Sequence, residues 1–302
     1  MKNAVTVIGG ANMDIVGFPN DVLKMGDSNP GKVKTSVGGV GRNIADNLAR
    51  LGVDTKLITA VGDDTFGHTI LKEARTAGLD MSESLVCAGG ATSVYLSLLD
   101  DRGEMVAALS HMDILEEITP GFLRGKSDCI KSSRLIIVDA NLSAETLGYL
   151  TEAYSDIPFI LDTVSAAKAV KVKDIIGRFH TIKPNRAEAE VLTGMSVQSP
   201  DDAKLAAEYL LNKGVKRIYL SLSEEGLFYS DGQTSGRLPH ERIKPINTTG
   251  AGDAFVAAAA YGYVNNTDIR VTAELARNAA IMTMLHPDTV NPNISLEKIK
   301  NL

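Results

Sequence analysis

The chain has 302 residues, 44% of them hydrophobic and 23% charged, with a net charge of -6 at pH 7. That length allows one large α/β domain or two small ones, and the acidic balance without any sustained Lys/Arg block argues against nucleic acid or an anionic membrane as partner. Two cysteines, Cys87 and Cys129, make neither a zinc-ligand pair nor a disulfide framework, which fits a reducing cytoplasm.

The chain runs at once into a β-like segment, AVTVIGG at 4–10, rather than a signal sequence, and no apolar stretch reaches membrane-spanning length. Buried-strand patterns recur at 55–62, 134–140, 158–162, 180–184 and 217–223, with helical patterns between them at 41–51, 65–77, 143–154, 185–193 and 201–213. This alternation predicts an α/β fold: a central, mostly parallel sheet with helices on both faces. Two stretches, 14–37 and 87–112, break the rhythm. The second holds two strand-like runs joined by Asp101-Arg102-Gly103, a hairpin signal. Together they predict a small β-sheet lid, built by insertions into a single domain spanning 1–302 because no linker or repeat divides the chain. A small sheet with an open edge invites a second copy, so a homodimer through the lid is expected. The lysines of KAVKVKD at 168–174 read as a solvated face.

Four motifs carry chemistry. VIGGANMD follows the first strand but lacks the third glycine of a dinucleotide fingerprint. Asn12 and Asp14 instead put an amide and a carboxylate at a strand end, where open α/β sheets bind ligands, and one carboxylate can accept from two vicinal sugar hydroxyls. Asp14 as a plain turn residue is the other reading. Next, SVGGVGRNIADNLARLG at 36–52 supplies Gly38, Gly39 and Gly41, which let a ligand approach the backbone, and Asn43, which can aim a bidentate amide at it. Ile44, Leu48 and Leu51 on that helix are core.

In IKPNRAEAEVLTG, Asn185 and Glu188 are three residues apart on one helical face, within reach of a hydrated Mg²⁺ carrying nucleotide phosphates. Last comes NTTGAGD at 247–253, ahead of an apolar helix. Gly250 and Gly252 can turn backbone N–H groups toward one point at a helix N-terminus, an anion site. Asp253 would repel that anion, so it reads as a base for a hydroxyl, or else as an ordinary first-turn acid.

In this order the motifs resemble the ribokinase-like (PfkB) family of carbohydrate and nucleoside kinases over essentially the whole chain, with GGVGRN and NTTGAGD similar to its two signatures. Within it, GGVGRNIADNLARLG, DTVSAAKA, TIKPNRAEAEVLTG and DTVNP look most like the pseudouridine kinases. The resemblance implies ATP-dependent phosphorylation of the 5′-hydroxyl of a ribosyl compound, pseudouridine first, with ribokinase or another sugar or nucleoside kinase, and then a non-catalytic sugar sensor, as alternatives. It implies Asp253 as base, Gly250, Ala251 and Gly252 as anion hole, and Asn185 and Glu188 organising Mg²⁺ and phosphates. Asn12, Asp14, Gly38, Gly39 and Asn43 would hold the sugar, and the side-chain oxygens of Thr92, Ser93 and Asn141 would face the base. Asn141 also reads as a helix cap, a role for which Ser143 competes. Ser223, Gly226, Thr249 and Asn278 would line the adenine side. Two residues depart from the ribokinase pattern: Val40 stands where Lys is frequent, and Asn247 replaces an acid that helps hold a monovalent cation, which leaves dependence on potassium open.

Overall fold

Apolar runs too short for helices make the strands, and in chain order these are β1 (Val5–Ile8), β2 (Asn12–Pro19), β3 (Gly31–Gly38), β4 (Thr55–Ile58), β5 (Ala60–Gly62), β6 (Leu85–Cys87) and β7 (Val94–Leu99). They continue with β8 (Met105–His111), β9 (Leu135–Asp139), β10 (Phe159–Asp162), β11 (Thr181–Ile182), β12 (Arg217–Ser221), β13 (Leu227–Ser230) and β14 (Ser235–Leu238). This computed structural model describes residues 4–239, 241 and 243–302, so the first three residues of the expected 1–302 domain lie outside the described ones. No helix among the described residues is long and apolar enough to cross a membrane.

The main sheet has eight strands in the order β14-β13-β12-β11-β10-β9-β1-β4. Every neighbouring pair is parallel except β12–β13 and β13–β14. β1, β9 and β10 are buried along their whole length, as parallel strands covered on both faces must be. Several boundaries differ from the sequence reading. The 55–62 run divides at Thr59, whose N–H donates to Ser84 Oγ at 3.2 Å and whose carbonyl accepts from Leu85 at 2.8 Å, so β5 leaves the main sheet to pair with β6. The 180–184 run shrinks to two residues, since Pro184 brings no N–H to a ladder. The antiparallel edge β13–β14 and the helix Ile269–Met284 were not anticipated: the strands are four residues each, and the helix surrounds its alanines with charges.

A separate four-stranded sheet, in the order β3-β2-β7-β8, forms from the two irregular stretches. β2 pairs antiparallel with β3 and parallel with β7, and β8 closes a hairpin on β7. The turn of that hairpin is held by Asp100 Oδ1, which accepts from the N–H groups of Arg102 and Glu104 at 2.9 and 2.8 Å. The helices Val40–Arg50 and Ala251–Val264 pack together and present their N-termini to the same edge of the main sheet, where β1, β9 and β10 end.

Candidate functional site

The helix Ala251–Val264 starts at Gly250, whose φ of 84° is left-handed and whose position offers no side-chain cap; Ala251 N–H reaches Thr248 O only at 3.5 Å, and the N–H groups of Gly252 and Asp253 have no partner among the described residues. A Cβ at Gly250 would overlap the carbonyl of Thr289, and one at Gly252 would stand 2.9 Å from Lys183 Nζ. Lys183 therefore places an ammonium over the mouth. The sequence reading passed it by; a lysine directly after β11 and before Pro184-Asn185 was the available signal.

Asp253 lies in the first turn, 8% exposed, and its Oδ2 accepts a 2.8 Å hydrogen bond from Asn43 Nδ2, 210 residues away. Burial first, then the charge of Asp162, push its carboxyl up to about 8, against the pull of the Asn43 bond and Lys183. Asp139 pushes the same way as Asp162. Both acids end their strands, β9 and β10, and neither was singled out from sequence.

Asn12 Nδ2 donates to Asp14 Oδ1 at 2.6 Å, and burial raises the Asp14 carboxyl in spite of that bond and of nearby Arg42. A Cβ at Gly38 would collide with the Asp14 carboxylate, so this glycine makes room for the acid. Gly39, at φ 100°, and Gly41 do something other than admit ligand: a Cβ on them would come within 2.5 Å of Ala11 Cα and 2.8 Å of the Gly9 carbonyl carbon. Two loops pack backbone to backbone there. Arg42 bonds Asp46 at 2.9 Å, shared with Arg50 at 2.7 Å, and its Nη1 reaches Val37 O at 3.2 Å and Asn43 Oδ1 at 3.3 Å. The Asn43 oxygen thus faces a cation while its NH₂ faces Asp253.

The three residues expected to face a base separate. Thr92 is bound into the body: its hydroxyl donates to Asp64 Oδ1 at 2.6 Å and accepts from Gly62 N–H at 2.9 Å, so its oxygen is committed. Ser93 Oγ is buried without a hydrogen-bond partner among the described residues. Residue 93 precedes the register pairs Met13 with Val94 and Asp14 with Tyr95, so strand alternation puts its side chain on the Asp14 face. Asn141 offers an NH₂ rather than an oxygen, because Lys168 Nζ donates to its Oδ1. Ser143, not Asn141, caps the helix Ala144–Ala153. Lys168 and Lys171, read as solvated, turn inward and are half-buried.

Asn185 and Glu188 form a reciprocal capping box on the helix Arg186–Thr193. Glu188 is 4% exposed, and it accepts from Asn185 Nδ2 and Asn185 N at 2.8 Å each and from Thr163 Oγ1 at 2.7 Å. The expected pair is present, but Glu188 is buried with both oxygens held by Asn185 and Thr163, and only Asn185 is exposed. No cluster of three His, Cys, Asp or Glu among the described residues makes a metal cage. A magnesium ion brought by nucleotide phosphates does not need one, since it keeps several waters and takes one or two carboxylates. The mutual repulsion of Asp253, Asp162 and Asp139 gives such a cation a favourable field, so the residues fit.

A cavity of about 460 Å³ opens from the mouth, lined by Lys183, Ser223, Gly226, Ile243, Pro245, Thr248, Gly252, Phe255, Ile281 and Met284. That volume and its mixed lining suit a nucleotide. Ser223 and Gly226 line it as expected, whereas Thr248 stands there rather than Thr249. Asn278 turns away: its Nδ2 donates to Ile299 O at 2.8 Å, tying down the C-terminal helix while Arg277 and Ile281 face the cavity. Asn247 bridges two loops, donating to Pro287 O at 3.1 Å and accepting from Thr249 N at 3.0 Å.

The model of the pfkB family of carbohydrate kinases matches residues 2–296. The chain is 38% identical over 303 residues to the pseudouridine kinase of Escherichia coli K12, covering 100% of this chain and 96% of that protein. It is 28% identical to the guanosine-inosine kinase of Exiguobacterium acetylicum, over 85% of this chain and 86% of that one. Among solved structures, a carbohydrate kinase from Agrobacterium tumefaciens superposes with a TM-score of 0.86 at 28% identity, over 100% of this chain and 96% of that chain. A ribokinase from Arabidopsis thaliana, solved with ribose and ATP, gives 0.86 at 18% identity over 100% and 98% of the two chains, a likeness of fold alone.

Proposed function

Since the chain belongs to the pfkB family of carbohydrate kinases and has the ribokinase-like α/β fold, we propose that it transfers the γ-phosphoryl group of ATP to the 5′-hydroxyl of pseudouridine. The observation that carries the reaction is the bond between Asn43 and Asp253 at the left-handed Gly250 mouth. There one carboxylate lies in the same first turn as Ala251 N–H, which is held only by a 3.5 Å bond to Thr248 O, and Gly252 N–H, which has no partner among the described residues, and it lies beside Lys183. The 5′-oxygen attacks the γ-phosphorus as the bond to the bridging oxygen of ADP breaks, and Asp253 takes the hydroxyl proton. The N–H groups of Ala251 and Gly252, with Lys183, hold the charge of the transferring group. Asn185 and Glu188 would hold Mg²⁺ through water, where it neutralises phosphate charge. Asn12, Asp14 and Asn43 orient the sugar, and the small sheet closes over it as a lid that excludes water.

The base is assigned on two grounds. The full-length relative at 38% identity is a pseudouridine kinase, and Ser93 keeps a buried hydroxyl on the Asp14 face with no partner among the described residues. Pseudouridine carries a ring N–H where uridine has a C–H. An acceptor left unpaired by uridine costs about 1 to 3 kcal/mol, roughly one to two decades of selectivity. Parallel rate measurements with ATP should rank pseudouridine about 10- to 100-fold above uridine, with free ribose poor. A ribose rate equal to the pseudouridine rate would return the site to a base-free sugar kinase, and equal nucleoside rates would remove Ser93 as a reader.

The lid has a second face. Ile15, Leu96 and Leu109 are register partners on the side opposite Asp14, and β8 is exposed from end to end. Leu109 is 71% and Val33 70% exposed. An open apolar edge of this kind pairs with its own copy most economically. The protein should therefore run as a homodimer in light scattering at micromolar concentration, and Leu109→Asp should weaken it. A monomeric mass for the wild type would refute the assignment. Two free cysteines and the acidic surface suit a cytoplasmic setting.

A further inference from the structure

Arg42 sits where a cation is least expected. It lies in the first turn of the helix Val40–Arg50, where the macrodipole opposes positive charge, it is 7% exposed, and its Nε is buried with no hydrogen-bond partner among the described residues. Asp46, which it pairs with at 2.9 Å, is already bound by Arg50 at 2.7 Å, so the acid does not require it. The backbone fixes its place, since Arg42 N–H donates to Gly10 O at 3.0 Å in the turn after β1.

Its Nη1 donates to Val37 O at 3.2 Å and to Asn43 Oδ1 at 3.3 Å. Buried as it is, the guanidinium acts through these neighbours rather than on a substrate. Asn43 shares one carboxamide between two partners, Arg42 on its oxygen and Asp253 Oδ2 on its Nδ2 at 2.8 Å. Asp253 Oδ1 has no hydrogen-bond partner among the described residues, so it is the oxygen left to take a proton. The acid changes character during the reaction: ionised, it only accepts, but once it carries the hydroxyl proton it can also donate. An amide free to turn would then offer its oxygen to that acid and hold the proton in place. A guanidinium has donors only, so a turned amide would set its NH₂ against Nη1 and lose the bond to Arg42.

We propose that Arg42 is a positioning residue of the phosphoryl-transfer site: by donating to Asn43 Oδ1 it keeps the Asn43 NH₂ on Asp253 Oδ2 whether the acid is ionised or protonated, so that Oδ1 takes the hydroxyl proton and gives it up again after transfer. The proposal rests on the reading of Asp253 as the base and adds the residue that keeps this base ready for the next turnover.

The test is the pH profile of kcat/KM with ATP and whichever of pseudouridine, uridine and ribose the wild type phosphorylates fastest. The variants are Arg42→Met, Arg42→Gln, Arg42→Lys, Asn43→Ala and the double variant Arg42→Met/Asn43→Ala. The other charges that face Asp253, namely Asp162 from β10, Asp139 from β9 and Lys183 after β11, are common to all of them. In Arg42→Met the amide can turn, so the ascending limb should move up by about one pH unit, a loss of about 10-fold below its midpoint that vanishes at high pH, with KM for ATP unchanged. Arg42→Gln, whose amide can accept from a turned Asn43, should shift the limb as well, and Arg42→Lys, again donor-only, should restore most of the wild-type midpoint. Because the effect passes through Asn43, Arg42→Met should add no shift in the Asn43→Ala background. A further shift there would mean that Arg42 acts through Asp14, whose carboxyl burial raises and the charge of Arg42 draws down, and would overturn the proposal. So would a loss of rate uniform in pH, the mark of a structural role. Either result leaves Asp253 as the base, whereas a wild type with no ascending limb would overturn that reading and the proposal together.

Discussion

Asp253→Asn should lower turnover by about 100-fold or more while leaving nucleotide binding near the wild-type level. The replacement keeps the shape and still offers Asn43 an oxygen to donate to, so the mouth built by Gly250 and Lys183 stays in place. What it removes is the lone pair that takes the hydroxyl proton. The carboxyl is pushed up to about 8 by burial and by Asp162, so kcat/KM of the wild type, which reports the free enzyme, should rise with pH through that region. Stability runs the other way. Because the folded-state value lies above the ordinary 3.8, folding takes up a proton, and the stabilisation is complete below about 4 and drains away as pH rises through about 8. Asparagine has no such drain. The melting temperature of Asp253→Asn should therefore exceed that of the wild type by a margin that widens from pH 5 to pH 8. Wild-type turnover in the variant would remove Asp253 from the chemistry, and a constant margin would mean that the carboxyl titrates normally.

Gly250→Ala should cost turnover about 100-fold and also destabilise the fold by roughly 1 to 3 kcal/mol. The stability loss has two parts, the left-handed φ of 84° and the overlap of a Cβ with the Thr289 carbonyl. Relief of that overlap moves the first turn of the helix, and with it the N–H groups that would hold the transferring phosphoryl. Gly78→Ala separates the two effects: φ is 75° there as well, but no atom lies within 4 Å of the added carbon. It should lose stability by a similar strain and keep turnover. Equal loss of turnover in both variants would mean that general destabilisation, not the position of the mouth, governs activity.

Much of this molecule could be read from its sequence because the relevant constraint is local. A glycine is required wherever the backbone must be left-handed or closely approached, so the Gly250 mouth was visible in NTTGAGD, whereas GGVG read as room for a ligand and is in fact a junction of two backbones, because the sequence shows that something comes close but not what. Alternating apolar runs and helical periods are set by neighbours within a turn or two, and they marked the parallel sheet and the hairpin of the small one. The spacing of Asn185 and Glu188 put them together, although the same three-residue step also makes a capping box, and sequence cannot separate the two uses. Partners chosen by topology were out of reach. Asn43 meets Asp253 only because two helices start at one edge of the sheet, and Lys183, Asp139 and Asp162 count only because their strands end beside that meeting point. Thr92, Asn278 and Lys168 show the same limit from the other side. Each has a polar side chain of the expected or dismissed kind, but whether it faces a ligand, Asp64, Ile299 or Asn141 depends on where distant segments lie. Backbone conformation is dictated by the residue that must adopt it, whereas the direction and charge environment of a side chain are dictated by whatever the chain brings against it.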